Sequence, residues 1–148
     1  MVFYKGVYHL YTTSYQPSFQ QSVPQDFVIA HATSIDGINW TMDTTAFVES
    51  DGGAHWMGEI VAEPGAMIKE DTLYVFFTAS GFVGSTVEQS IGLLRTIDGR
   101  TIIDSMRVVK MPTDIYPSSG NWWGLSTPSA TMVGDTIYLF TDVAKSVN

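Results

Sequence analysis

Apolar and polar positions alternate along most of this chain, and the alternation predicts strands. Positions 7–14 set Tyr8, Leu10 and Thr12 on one face and Val7, His9 and Tyr11 on the other. Both faces are largely apolar or aromatic, as expected of a strand buried between two sheets. Lys5-Gly6 supplies a hairpin turn before it, which makes positions 1–4 the preceding strand. Positions 27–33 read as a third strand, and Ile35-Asp36-Gly37-Ile38 turns into a fourth near Trp40. Further strands are predicted at 66–69, 72–79, 90–95, 102–110, 129–133 and 136–142, with a turn at Asp98-Gly99. No segment sustains a helical period, so the fold class is all-β. The stretches 43–62 and 111–127 are rich in Gly, Pro, Asp and Trp and read as long loops, which in compact domains often carry function.

The strands repeat. Glu63-Pro64-Gly65-Ala66 runs on to Asp71-Thr72-Leu73-Tyr74-Val75-Phe76, and 64 positions later Thr127-Pro128-Ser129-Ala130 runs on to Asp135-Thr136-Ile137-Tyr138-Leu139-Phe140. Positions 1–14 align with the second copy at an offset of 66, placing Tyr8 on Tyr74 and Thr12 on Thr78. A period of this size with several strands per unit marks a propeller-like or solenoid array. The expected organisation is one unit over 1–148: a first four-stranded antiparallel blade at 1–45, a second at 60–112, and a half blade at 124–148. Together these make about two and a half blades of a partial β-propeller-like array.

Composition narrows the partners. Apolar residues make up 45% and charged residues 15%, a balance that folds rather than stays disordered. The formal net charge of −8 argues against nucleic acid, because no Lys/Arg patch exists to neutralise phosphates. No apolar run approaches membrane-spanning length. With no cysteine, disulfides, thiolate metal sites and cysteine nucleophiles are all excluded. The three histidines are far apart in sequence and give no metal site, and His31, lying on a strand, reads as a packed side chain. No cofactor is implied.

The motifs carry a family resemblance over nearly the whole chain. Phe3-Tyr4-Lys5-Gly6-Val7-Tyr8-His9-Leu10-Tyr11, then Gln16-Pro17, then His31-Ala32-Thr33-Ser34-Ile35-Asp36-Gly37-Ile38-Asn39-Trp40, resembles the first blade of five-bladed β-propeller glycoside hydrolases of family 32 and their relatives in families 43 and 68. The second blade is similar, with Gln89-Ser90-Ile91-Gly92 and Thr96-Ile97-Asp98-Gly99. Both Asp-Gly pairs are turn formers in their own right. Glycoside hydrolysis needs a pair of carboxylates flanking the scissile bond. The resemblance implies a nucleophile or base Asp opening the first blade, a transition-state-stabilising Asp in an "R-D-P" segment opening the third, and an acid Glu in the fourth. The first and last of these positions fall outside 1–148. The middle one is Thr127, in Ser126-Thr127-Pro128, and a threonine is neither ionised nor a useful base at neutral pH.

One carboxylate does stand at the start of an innermost strand. Glu63 aligns with Thr127 and precedes Pro64, and Glu63-Pro64-Gly65 is faintly similar to the "E-G-P" around the acid of family 43. It is the candidate catalytic residue, and a solvated loop carboxylate is the alternative; Glu59 and Asp51 are weaker candidates of the same kind. His55-Trp56-Met57 and Trp122-Trp123 lie just before innermost strands. His55, Trp56, Trp122, Trp123 and Thr127 are therefore the candidate ligand-binding residues, because exposed tryptophans stack on sugar rings. Those tryptophans equally suit a core cap or a subunit interface. What the resemblance implies is an oligosaccharide-binding chain that is catalytically incomplete by itself. Two alternatives stay open: a glycosidase whose site is completed by another chain or further sequence, and a structural or protein-interaction module. An open array leaves strand edges uncovered, so a homo-oligomer is expected, although two-fold pairing of two and a half blades does not generate a five-fold ring.

Overall fold

In the computed structural model, residues 1–16, 26–50, 52–53, 55–83, 86–110 and 123–145 are described. They form an all-β fold of antiparallel sheets, with no helix among them. Sheet 1 orders β1 (Val2–Tyr4), β2 (Val7–Gln16), β3 (Asp26–Ser34) and β4 (Thr41–Met42), with β5 (Val48–Glu49) also paired to β3. Sheet 2 orders β6 (Ile60–Lys69), β7 (Thr72–Val83), β8 (Thr86–Thr96) and β9 (Ile102–Lys110). Sheet 3 holds β10 (Trp123–Val133) and β11 (Thr136–Lys145). The sheets stack in series: β6 packs across β2 and β3, and β10 packs across β6, β7 and β8.

Two cores result, one at each junction. Tyr4, Tyr11, Ile29, Phe47, Val61, Leu73, Val75, Phe77 and Leu94 fill the first. Met67, Phe76, Ile91, Leu93 and Leu125 fill the second, with Tyr74, Ala130, Ile137 and Leu139 packed against them. Strand β7 belongs to both, sending Leu73, Val75 and Phe77 one way and Tyr74 and Phe76 the other. The two-sided burial expected of positions 7–14 is met in part, since in β2 His9 and Tyr11 are buried and Tyr8 and Leu10 only half-buried; β7 comes nearer to it, with Tyr74 half-buried and 75–80 buried.

The hairpins correct the repeat. Tyr4 pairs with Val7, Lys69 with Thr72 and Val133 with Thr136, each across a two-residue turn. The first turn residue has positive φ in every case: 49° at Lys5, 53° at Glu70 and 60° at Gly134. Lys5 therefore corresponds to Glu70, an offset of 65 and not 66. Tyr8 is equivalent to Leu73, and Thr13, not Thr12, to Thr78. Side chains alternate with period two, so a slip of one residue exchanges the faces. Aromatic identity favoured the wrong register, and turn geometry set the right one.

The first junction is held by polar contacts as well as by its core. The Tyr4 hydroxyl donates to the carbonyls of Asp71 (2.5 Å) and Ile97 (3.1 Å), and the Tyr11 hydroxyl donates to that of Gly99 (2.6 Å). Gly99, at φ 83°, lies so close to His9 that an added Cβ would come within 2.1 Å of the imidazole. His9 and His31, remote in sequence, meet in space with Nδ1 of His9 3.0 Å from Nε2 of His31. His31 Nδ1 lies 2.6 Å from Asp43 Oδ2, and Arg100 from the β8–β9 turn ion-pairs with the same carboxylate. A carboxylate only accepts, so His31 Nδ1 carries hydrogen; with a neutral ring its Nε2 then accepts from His9 Nδ1–H. His31 is packed, 2% exposed, and the chain His9–His31–Asp43–Arg100 ties sheet 1 to sheet 2.

Burial first, and then the adjacent His31, hold the pKa of His9 below the ordinary histidine value. The unfolded chain therefore binds this proton more readily, and its contribution to stability is present above the unfolded value of about 6.5 and is lost as pH falls below it. Urea midpoints are expected to decline from pH 7.5 to pH 5. His9→Phe should be less stable at neutral pH but show a shallower decline. An unchanged slope in that variant would contradict the linkage.

Candidate functional site

The first strands of sheets 2 and 3, β6 and β10, each carry a bulge. In β6 the register with β7 shifts between Ala62 and Gly65; in β10 the register with β11 shifts between Ser126 and Ser129. Each bulge holds a non-glycine residue in the left-handed region, Glu63 at φ 53° and Thr127 at φ 48°. That conformation costs roughly 1–2 kcal/mol for a residue with a Cβ, and a β-branched threonine rarely adopts it. Glycine would relieve the strain, so the side chains at 63 and 127 have work that glycine cannot do.

That work is visible in the hydrogen bonds. The Glu63 N–H donates to Thr13 Oγ1 of sheet 1 (2.7 Å). One sheet further on, the Thr127 N–H donates to Thr78 Oγ1 (3.1 Å) and to Glu63 Oε2 (2.9 Å). Each bulge amide thus reaches back to a threonine on the second strand of the preceding sheet. Within each sheet the bulge side chain also meets its second strand: Thr78 Oγ1 donates to Glu63 Oε2 (2.7 Å), and Thr127 Oγ1 donates to Asp142 Oδ2 (2.7 Å). The two pairs are equivalent at the 64-residue offset, with acid and hydroxyl exchanged. Gly65 allows the two bulges to touch, since a Cβ there would come within 2.3 Å of the Pro128 carbonyl.

The result is a polar cluster on the side where β6 and β10 run as sheet edges. Glu63, Thr127 and Asp142 are exposed, and Thr78 is buried beneath them. Among the described residues, no donor engages Glu63 Oε1 or Asp142 Oδ1. These two acceptors, fixed by short bonds on their partner oxygens, are what the cluster presents to solvent. Sequence reasoning brought Glu63 and Thr127 together but missed Asp142, Thr78 and Thr13. The 64-residue offset places Asp142 on Thr78, and that signal could have found it.

The other candidates lie apart from this cluster. His55 and Trp56 occupy the turn before β6, where the His55 N–H donates to Gly53 and His55 Nδ1 accepts from the Met57 N–H (3.4 Å). This turn rests on Gly81 of β7, three residues along the strand from Thr78, or about 10 Å. Trp56 is half-buried, its ring 6.0 Å from that of Phe77 against the first core, so one face serves as a core cap. The backbone of Trp123 starts β10. The Trp123 side chain, all of Trp122 and Asp51 lie outside the described residues. Glu59 is half-buried, its amide paired to Ser80. Asp36 and Asp98 are turn formers: Asp36 Oδ1 accepts the amides of Ile38 and Asn39, and Asp98 Oδ1 accepts those of Arg100 and Thr101. Led by the bond from the Asn39 amide, these contacts hold the Asp36 carboxyl well below its ordinary pKa.

Replacing Glu63 separates its bonding from its charge. Glu63→Ala leaves the Thr78 hydroxyl and the Thr127 amide without their carboxylate and should cost about 1 kcal/mol in denaturant unfolding, water offsetting part of the loss at this exposed site. Glu63→Gln keeps an acceptor oxygen and should stay within about 0.5 kcal/mol of the parent chain. Equal losses in both variants would show that the charge, not the acceptor, matters.

No protein-family model and no curated protein matches the chain, so the case for a function rests on the cluster itself.

Proposed function

We propose that this chain is a carbohydrate-binding half-propeller, three consecutive members of a glycoside-hydrolase-like array that holds a neutral oligosaccharide without cleaving it alone. The observation that carries this reading is the exposed Glu63–Thr127–Asp142 cluster where the edges of sheets 2 and 3 meet. The propeller-like arrangement is supported by the serial stacking and by hairpins and bulges that recur at nearly constant offsets. A carboxylate only accepts hydrogen bonds, and a sugar offers hydroxyl donors in abundance. The strained bulges fix both acceptors before any ligand arrives, which lowers the ordering cost of binding. The acidic surface, with a formal charge of −8, disfavours anionic ligands.

The same geometry weighs against hydrolysis. Glu63 Oε2 already accepts two hydrogen bonds, and position 127, where the resemblance implies an aspartate, offers a hydroxyl that donates to Asp142. One observation favours a second reading. Asp142 stands one hydrogen bond from Thr127, so it could supply the acid that position 127 lacks, with Glu63 as its partner in a glycosidase.

Calorimetric titration with a panel of neutral oligosaccharides distinguishes the two readings. Saturable binding is expected for the parent chain, weaker by roughly tenfold or more in Asp142→Asn, with no reducing sugar released. Flat titrations across the panel would sink the binding proposal. Release of reducing sugar that disappears in Glu63→Gln or Asp142→Asn would establish the glycosidase instead.

A further inference from the structure

We infer that the His9–His31 pair is an acid-operated latch, which releases the Thr96–Thr101 turn from sheet 1 while the rest of the fold stays assembled. This inference is independent of the carbohydrate proposal, and it concerns a junction enclosed by described strands on both sides. The β8–β9 turn is tied to sheet 1 by polar contacts. The Tyr11 hydroxyl donates to the Gly99 carbonyl (2.6 Å), and the Tyr4 hydroxyl (3.1 Å) and Lys5 Nζ (3.0 Å) donate to that of Ile97. Arg100 Nη2 donates to Thr45 Oγ1 (2.6 Å), and Arg100 Nη1 pairs with Asp43. The turn itself is folded by its own bonds. Thr96 Oγ1 donates to Asp98 Oδ1 (2.9 Å), which also accepts the amides of Arg100 (2.8 Å) and Thr101 (2.6 Å). At its base the β8–β9 register shifts, between Arg95 and Thr96. A self-bonded turn on an irregular base can move as one piece.

Counting protons shows what would move it. With both rings neutral, His9 Nδ1–H donates to His31 Nε2 across 3.0 Å, and His31 Nδ1–H donates to Asp43. One added proton can be kept: it sits on His31 Nε2, which then donates to His9 Nδ1 while the His9 hydrogen moves to Nε2. The Tyr4 backbone carbonyl and the carboxylates of Asp98 and Asp43 favour that charge. A second proton sets N–H against N–H, with no acceptor between the rings and two like charges in contact. Lys5 and Arg100 add positive charge to the same junction, Tyr4 and Tyr11 act as neutral donors, and Asp71 meets it through its backbone carbonyl. Neither ring has room to turn away. His9 is 4% exposed with Gly99 pressed against its edge, and His31 is wedged against Tyr11 and Phe47, ring centroids 4.9 and 6.0 Å away. The part that can yield is the turn over His9.

Opening lets the second ring titrate near the ordinary histidine value of about 6.5, so the closed form is favoured above that pH and loses ground below it. One proton taken up on opening raises the open population by up to about tenfold per pH unit. Solution NMR of the parent chain from about pH 7.5 to 4.5 tests this, with imidazole signals reporting protonation and Ile97 and Gly99 reporting the turn by shift and relaxation dispersion. Ile97 and Gly99 should exchange with an open form that grows as the pair takes its second proton, while Ile91 and Leu125 in the second core hold their shifts. His9→Gln offers an amide to His31 but no second titrating ring, so its turn should stay closed over the same range. Histidines that take up both protons with Ile97 and Gly99 unmoved would overturn the inference. So would loss of the second core in the same step, or turn release in His9→Gln with the pH dependence of the parent. If His9→Gln does not fold, the parent titration alone decides.

Discussion

The structure depends on one repeated hydrogen bond: the amide of a left-handed bulge residue donates to a threonine on the sheet before it. Glu63 makes this bond to Thr13 and Thr127 makes it to Thr78. Apolar packing brings successive sheets together, but packing is non-directional and sets no register between them. The bulge amide is directional. It fixes where the first strand of each sheet crosses the sheet before it, and it can point across the junction only because the backbone at 63 and 127 leaves the β region.

The same bulges explain why a polar cluster sits at this place. A residue held at positive φ turns its side chain out of the pleat, towards the second strand of its own sheet. In sheet 2 that pair is an acid on the bulge and a hydroxyl opposite; in sheet 3 the hydroxyl is on the bulge and the acid opposite. The exchange keeps one donor and one acceptor in each pair, so each hydroxyl donates to a carboxylate oxygen of its own sheet. It also leaves two carboxylates bound to the two ends of one residue, the amide and the hydroxyl of Thr127. Strain, stacking and the acidic pair are therefore consequences of one backbone feature.

Much of the fold was legible because strand alternation and turn chemistry are local. The turns at Lys5-Gly6, Asp36-Gly37 and Asp98-Gly99, the four strands of sheet 2 and the relation of its first hairpin to sheet 3 follow from residues adjacent in sequence. What was missed is non-local or irregular. The loops expected at 43–62 and 111–127 overlap the starts of β6 and β10, and the predicted strands begin only at 66 and 129, beyond the bulges, where Pro64, Gly65 and Pro128 interrupt the alternation. Strand β5 is two residues long and hid in the same way. The repeat was aligned on Tyr8 and Tyr74, although the turn residues Lys5 and Glu70 define the register. Asp142 was missed because its role depends on a donor fifteen residues away across the bulge. The histidine pair His9–His31 likewise forms only when β2 and β3 zip together.

The central claim, that the bulge cluster is a binding site and not only a structural stitch, is tested most directly by backbone amide chemical shifts during titration with neutral oligosaccharides. The account predicts saturable shifts centred on Glu63, Thr127 and Asp142, falling off along β6, β10 and β11. Shifts confined to the outer face of sheet 1, or none at any of these three residues while a ligand binds elsewhere, would contradict it.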